Sequence, residues 1–242
     1  MARLTAVSSL VSSVLLGGAL LVAPSVARAQ DPGPTPVNTT TAAGGTDHSQ
    51  VVGTFGVGYM GLADINTAAG RIPAPVVGVR YWLSEGMGID AGLGLGYSSA
   101  KTTTEGGGTT VEREDPSAFG VLLHGGVPLA LATGKHHTFQ VIPELNVGYG
   151  TSTLKQEGQD DTDRTGFLLD LGARAGTEIH FGFMGLPRLA LQGTVGVRFS
   201  YTSQTSKQGD SETSSSQIGF GTTVQSSPWA IFTSNLAALY YF

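Results

Sequence analysis

Ionisable residues recur at alternate positions inside otherwise apolar stretches of this chain, and that spacing limits the chemistry open to them. Arg80, Asp90, Glu144, Asp170, Arg174, Glu178, Arg188 and Arg198 are of this kind. His124 and His180 fall on the same phase, with Gln140, Asn146 and Gln192. Four bases and four acids on one face suit a mutually neutralising network, because a charge removed from water is tolerated only when paired and hydrogen-bonded. Rearrangement of such pairs could also gate a narrow conduit. Glu178 and His180 could form an acid–base pair, but catalysis also requires a nucleophile and an orienting third group, and the sequence offers neither beside them.

Other motifs carry little chemistry. His136-His137 sits at a predicted turn, where adjacent histidines are solvated more often than they ligate metal. No His/carboxylate spacing suits zinc. Gly92-Leu-Gly-Leu-Gly96 lacks the spacing of a dinucleotide fold. Asp160-Asp161-x-Asp163 and Glu112-x-Glu114-Asp115 read as solvated acidic loop tips. There is no cysteine, so disulfide and thiolate chemistry are absent. No catalytic residue, cofactor or metal is expected, and the chain reads as a non-enzyme.

The elements that must hold these charges have a hydrophobic period of two, the mark of strands. Eight segments show it, at about 51–62, 74–84, 88–98, 117–129, 137–150, 165–181, 188–201 and 229–242. The third is the cleanest. Ile89, Ala91, Leu93, Leu95 and Tyr97 alternate with Gly88, Asp90, Gly92, Gly94 and Gly96. Connections alternate in length. Those near 84–87, 133–135 and 182–187 are short, and those near 63–73, 99–116, 151–164 and 202–228 are long and polar. The stretch Ile218–Val224 is also strand-like and reads as an extension of the last loop. Counting it as a ninth spanning strand would place the two termini on opposite sides.

Residues 1–29 read as a secretory signal. Arg3 is the positive end, Leu10 to Val22 the apolar run, and Ala27-Arg28-Ala29 the cleavage site. The run is shorter than the roughly 20 residues a membrane-spanning helix needs. Residues 30–50, with Pro32, Pro34 and Pro36, read as a flexible tether. Removing the signal takes away Arg3 and Arg28 from 13 basic residues and none of the 18 acids, leaving a net charge of −7. Such a chain is not expected to bind nucleic acid.

Alternation alone also fits a soluble β-sandwich. Two features favour a bilayer. Aromatics gather at the strand ends: Tyr97, Phe119, Tyr149, Phe167, Phe199 and Tyr201 near the long loops, and Phe139, Phe181, Tyr240 and Phe242 near the short turns. This is the pattern of two interfacial girdles. The charges, by contrast, lie mid-strand on the other face, where a narrow barrel would bring them together. The 36 glycines fit a crowded interior. The expected fold is all-β: over 51–242, an eight-stranded antiparallel up-and-down transmembrane β-barrel with long external loops and short periplasmic turns.

This layout, with its Tyr240-Tyr241-Phe242 ending, resembles the small outer-membrane β-barrel superfamily, the OmpA/OmpX-like and opacity-protein-like barrels. The resemblance covers about residues 51–242. It implies a Gram-negative outer-membrane location and a role in envelope integrity, adhesion or narrow, porin-like transport. It also implies that Tyr240 and Phe242 act as a signal to the barrel-assembly machinery. Partners are then outer-membrane lipids, lipopolysaccharide and an external ligand at the loops. A structural or surface-interaction role comes first, a narrow solute channel second and a lipid-modifying enzyme third. Deleting Phe242 is expected to slow assembly and leave the finished fold intact. Insertion kinetics at the wild-type rate would contradict that role.

Overall fold

The computed structural model describes residues 45–68, 70–99, 101–106, 109–114, 116–155, 160–224 and 235–242. The signal at 1–29 and the tether up to residue 44 lie outside the described residues. A short helix, α1 (Asp47–Val51), comes first. The strands are β1 (Phe55–Thr67), β2 (Gly70–Ser84), β3 (Met87–Ser98), β4 (Lys101–Gly106), β5 (Thr109–Glu114), β6 (Ser117–Gly126) and β7 (Leu129–Thr133). They continue as β8 (His137–Leu154), β9 (Thr162–Phe181), β10 (Leu186–Gln208), β11 (Ser211–Thr222) and β12 (Leu236–Tyr241).

All strand pairings are antiparallel. Ten strands form one sheet, and β4–β5 form a separate hairpin. The pairings run β1–β2–β3–β6–β8–β9–β10–β12 and return to β1, so the sheet is ring-like. β7 follows Pro128 and pairs with the turn end of β8. β11, which contains residues 218–222 of the strand-like stretch, pairs with the far half of β10, from Val197↔Thr222 to Gln208↔Ser211.

Each strand of the ring carries the alternation into space. In β3, Ile89, Leu93, Leu95 and Tyr97 are exposed while Gly88, Asp90, Gly94 and Gly96 are buried. Aromatics meet directly across strands at the loop end, Tyr97 opposite Phe119 and Tyr149 opposite Phe167. At the turn end Phe55 lies 4.7 Å from Tyr81, and Tyr240 lies 5.2 Å from Phe242, between ring centres.

Three local features depart from the expected layout. The connection near 63–73 is not a long loop. β1 and β2 continue to Thr67 and Gly70 as one hairpin. A bulge between Tyr59 and Gly61, where Gly61 has φ +124°, shifts the phase of β1 so that Ile65 and Thr67 become buried. Pro73 and Pro75 lack the N–H a sheet partner needs, and β3 pairs with β2 only from Val76 onward. Freed on that side, the hairpin leans across the ring. A side chain at Gly120 would come within 2.7 Å of Ile65, and one at Gly150 within 2.8 Å of Thr67. Glycine is required there because another chain segment occupies the space.

The second departure is residues 45–51, expected as the end of the tether. Thr46 caps α1 by accepting from the Ser49 N–H at 3.1 Å. The third concerns the other connections. The 99–116 and 202–228 stretches are largely strand, as β4–β5 and β10–β11.

Candidate functional site

The enclosed face holds two polar clusters and a cap. The first cluster centres on Arg80. Its neighbour in register is Asp90, and the two join through paired hydrogen bonds, Nε to Oδ1 and Nη2 to Oδ2, both 2.7 Å. This fork-on-carboxylate geometry is the strongest ion pair available to a side chain. The guanidinium then crosses the ring. Its Nη1 donates to Glu178 Oε2 and, at 2.6 Å, to Gln192 Oε1. Gln140 Nε2 donates to Gln192 Oε1 at 2.8 Å. Tyr241 donates to Glu178 Oε1 at 2.8 Å and accepts from Trp82 Nε1 at 3.1 Å. All of these side chains are buried.

His180 completes the set. Its Nδ1 lies 3.2 Å from the Pro187 carbonyl, which can only accept, so Nδ1 carries the hydrogen. Nε2 then faces Glu178 Oε1 at 3.3 Å.

The second cluster is built from side-by-side neighbours. Arg174 pairs with Glu144 at 2.6 Å, Arg198 stands 3.7 Å from Asp170, and His124 Nδ1 meets Asn146 Oδ1 at 2.7 Å. Asn235 and Thr223 close one side. The Asn235 amide donates to the Thr223 carbonyl at 3.0 Å, and Thr194 N–H donates to the Asn235 carbonyl at 3.0 Å.

Arg188 belongs to neither cluster. It is exposed, because the β9–β10 register slips between Leu186 and Ala190. The expected single network of four bases and four acids therefore becomes two clusters with three arginines. Nine of the ten expected charge-network residues are brought inside: Arg80, Asp90, Glu178 and His180 in the first cluster, and His124, Glu144, Asp170, Arg174 and Arg198 in the second.

The cap is α1. It touches all three short turns of the ring. Asp47 N–H donates to the Lys135 carbonyl at 2.9 Å. The Asp47 carboxylate accepts from His136 at 2.7 Å and from the Gly182 N–H at 3.1 Å. His48 Nε2 donates to the Glu85 carbonyl at 3.0 Å, and its ring stands edge-on to Trp82 at 4.4 Å. His136, expected to be solvated, is thus half-buried and paired. The sequence reading did not assign Asp47, His48 or His136 to a site. The Thr46-x-x-Ser49 cap was the one signal available.

The fold is similar to that of a major outer membrane protein from Thermus thermophilus. The identity is 17%, the TM-score 0.43, and the match covers 78% of this chain and 99% of that one. No protein-family model and no curated protein matches the chain. Tyr240 and Phe242 are both exposed on the outer face of the last strand, while Tyr241 between them points inward.

Glu178 and His180 are fully buried, against Tyr241 and Arg80. What the first cluster does is hold opposite walls together. Replacing Arg80 with alanine would leave Asp90 and Glu178 buried without their cation, a loss of about 3–5 kcal/mol. Urea unfolding of the refolded protein should show that loss, and a change below about 1 kcal/mol would remove Arg80 from this role.

The cap should weaken in acid. Burial holds the His48 imidazole below its ordinary value of 6.5, with His180 acting in the same direction and the Glu85 carbonyl and Glu178 opposing. The docked state therefore binds fewer protons than the undocked one. Docking is at full strength above about pH 6.5 and weakens as the pH falls below it. Amide exchange of residues 48–51, corrected for intrinsic rate, should show more opening at about pH 5 than at about pH 7.5. His48→Gln should remove that dependence, and its persistence in the variant would show that His48 is not its source.

Proposed function

We propose that this chain is an outer-membrane β-barrel of eight spanning strands, closed along its axis, whose role is structural or surface-interacting and not enzymatic. The ring of pairings supplies the eight strands. β7 is the bent end of β6, β11 belongs to the external part of β10, and β4–β5 is an external hairpin. The observation that carries the reading is the outer belt. Leu93, Leu123, Leu145, Leu171, Val195 and Val197 stand mid-strand on it, each about half exposed. A soluble monomer rarely exposes so continuous an apolar surface. A bilayer would cover it, and the aromatic rows at its edges would sit at the two interfaces.

Closure is supported at three levels. The α1 cap bridges the turns. The Arg80 cluster fills the section above it. Ile65, Ile72, Leu122 and Leu168, all buried, fill the loop half under the leaning hairpin. The lumen is then apolar in its upper part and ionic below, where the sequence reading expected one charge-balanced network. A channel would need all three of these layers to move. The proposed partners are outer-membrane lipid and lipopolysaccharide around the belt. The assembly machinery would act at the outward Tyr240 and Phe242, and an external ligand at the polar extensions β4–β5 and β10–β11.

The test combines two measurements on refolded protein. Unheated samples should migrate differently from boiled ones in gel electrophoresis, and planar bilayers containing the protein should show no stable unitary conductance. Regular current steps would replace this role with the channel. Leu171→Arg should cost about 2–4 kcal/mol against the hydrocarbon midplane, while Lys155→Arg should cost almost nothing. Equal stability of the two would refute the facing assignment.

A further inference from the structure

The described pairings of β12 are short. β12 bonds β1 only from Gly56 to Tyr59, and β10 only from Leu189 to Gly193. Among the described residues, β1 from Gly61 onward pairs only with β2. Beside this part of β1 lies a partly open cavity of about 60 Å³. About 10–15 Å³ suffices for one water, so the space admits a group of several atoms. Its polar lining includes Arg174, Arg198, Glu144, His124, Asn146 and Thr223.

Two buried side chains there have polar atoms without partners, His124 at Nε2 and Arg174 at Nε. Buried polar atoms are nearly always satisfied, so two orphans on one cavity point to an occupant. The charges indicate its sign. Two guanidinium groups line the space against one carboxylate. Glu144 is taken by Arg174 at 2.6 Å. The acid nearest Arg198 is Asp170 at 3.7 Å, beyond hydrogen-bond length, and Arg198 keeps about a third of its side chain exposed. Arg198 thus presents unfilled donors at an accessible position, with a second guanidinium edge behind it.

We infer that this cavity is a binding site for a small oxyanion of the carboxylate or phosphate class, received by Arg198 and seated against Arg174 Nε. The Asn146 carbonyl accepts from His124 Nδ1–H, so the His124 ring lines the cavity beside the anion without donating to it. The anion would be either a free solute or the head of an amphiphile. The site is formed inside the ring, so it does not depend on the membrane reading.

The imidazole resonances of His124 in isotope-labelled, detergent-refolded protein provide the readout. Sodium acetate and sodium octanoate would be titrated separately, with sodium chloride at matched ionic strength as the reference. A saturable shift is expected with the carboxylates beyond that given by chloride. Half-saturation should move at least tenfold higher in Arg198→Gln and stay near wild type in Arg198→Lys, which keeps the charge. Octanoate saturating at least tenfold below acetate would assign an amphiphile head, and equal values a free anion. No saturation in wild type would overturn the inference. So would equal affinity in an Arg198→Gln protein whose circular dichroism is unchanged.

Discussion

Arg80 reaches from β2 across the ring to Glu178 on β9, and that span ties together strands four places apart in the circuit of pairings. Hydrogen bonds of the sheet hold only neighbours. A ring of neighbours alone can flatten, and something must fix its section. Here the strut is ionic, and burial makes each of its charges depend on the others. Asp90 anchors the guanidinium on its own side. Gln140, Gln192 and Tyr241 satisfy what remains of the far side. The same requirement explains the glycines. A wall carrying Arg, Trp and Tyr inward leaves little room on the facing strands.

Above and below this strut the interior is closed by different means. At the turn end a five-residue helix bonds to each of the short turns through Asp47 and His48. At the loop end the chain folds its own hairpin inward. The bulge at Met60 puts Ile65 and Thr67 inside, and the two prolines free β2 from β3. Both devices are local, and neither interrupts the ring.

Much of this was legible in sequence, for a physical reason. In a strand each side chain has one of two directions, so a period of two sorts residues correctly wherever the register is regular. That is why Arg80, Asp90, Glu178 and Arg174 were placed inside from alternation alone. The reading failed wherever the period was broken. Arg188 sits inside a register slip, between Leu186 and Ala190, and its phase cannot be counted from Gln192. Ile65 lies past a bulge that inverts the phase of β1. The α1 cap is too short to show a helical repeat and follows a proline-rich stretch. Tyr241 was masked by its neighbours. Tyr240 and Phe242 carry the outward phase, and the inward member of the trio joins the Arg80 cluster. Pro73 and Pro75 were visible signals of an unpaired edge, but their meaning depends on where the pairing with β3 ends.

The account depends on the outward phase meeting hydrocarbon. The chain contains no cysteine, so single cysteines can be introduced and labelled without background. The direct measurement is quenching of a small fluorophore by brominated lipid, with the label at Leu93 on the outer belt and, in a second protein, at the exposed Gln217 of β11. The account predicts strong quenching at Leu93 and little at Gln217 in reconstituted vesicles. Equal and weak quenching at both positions would place the belt in water or against protein, and would contradict it.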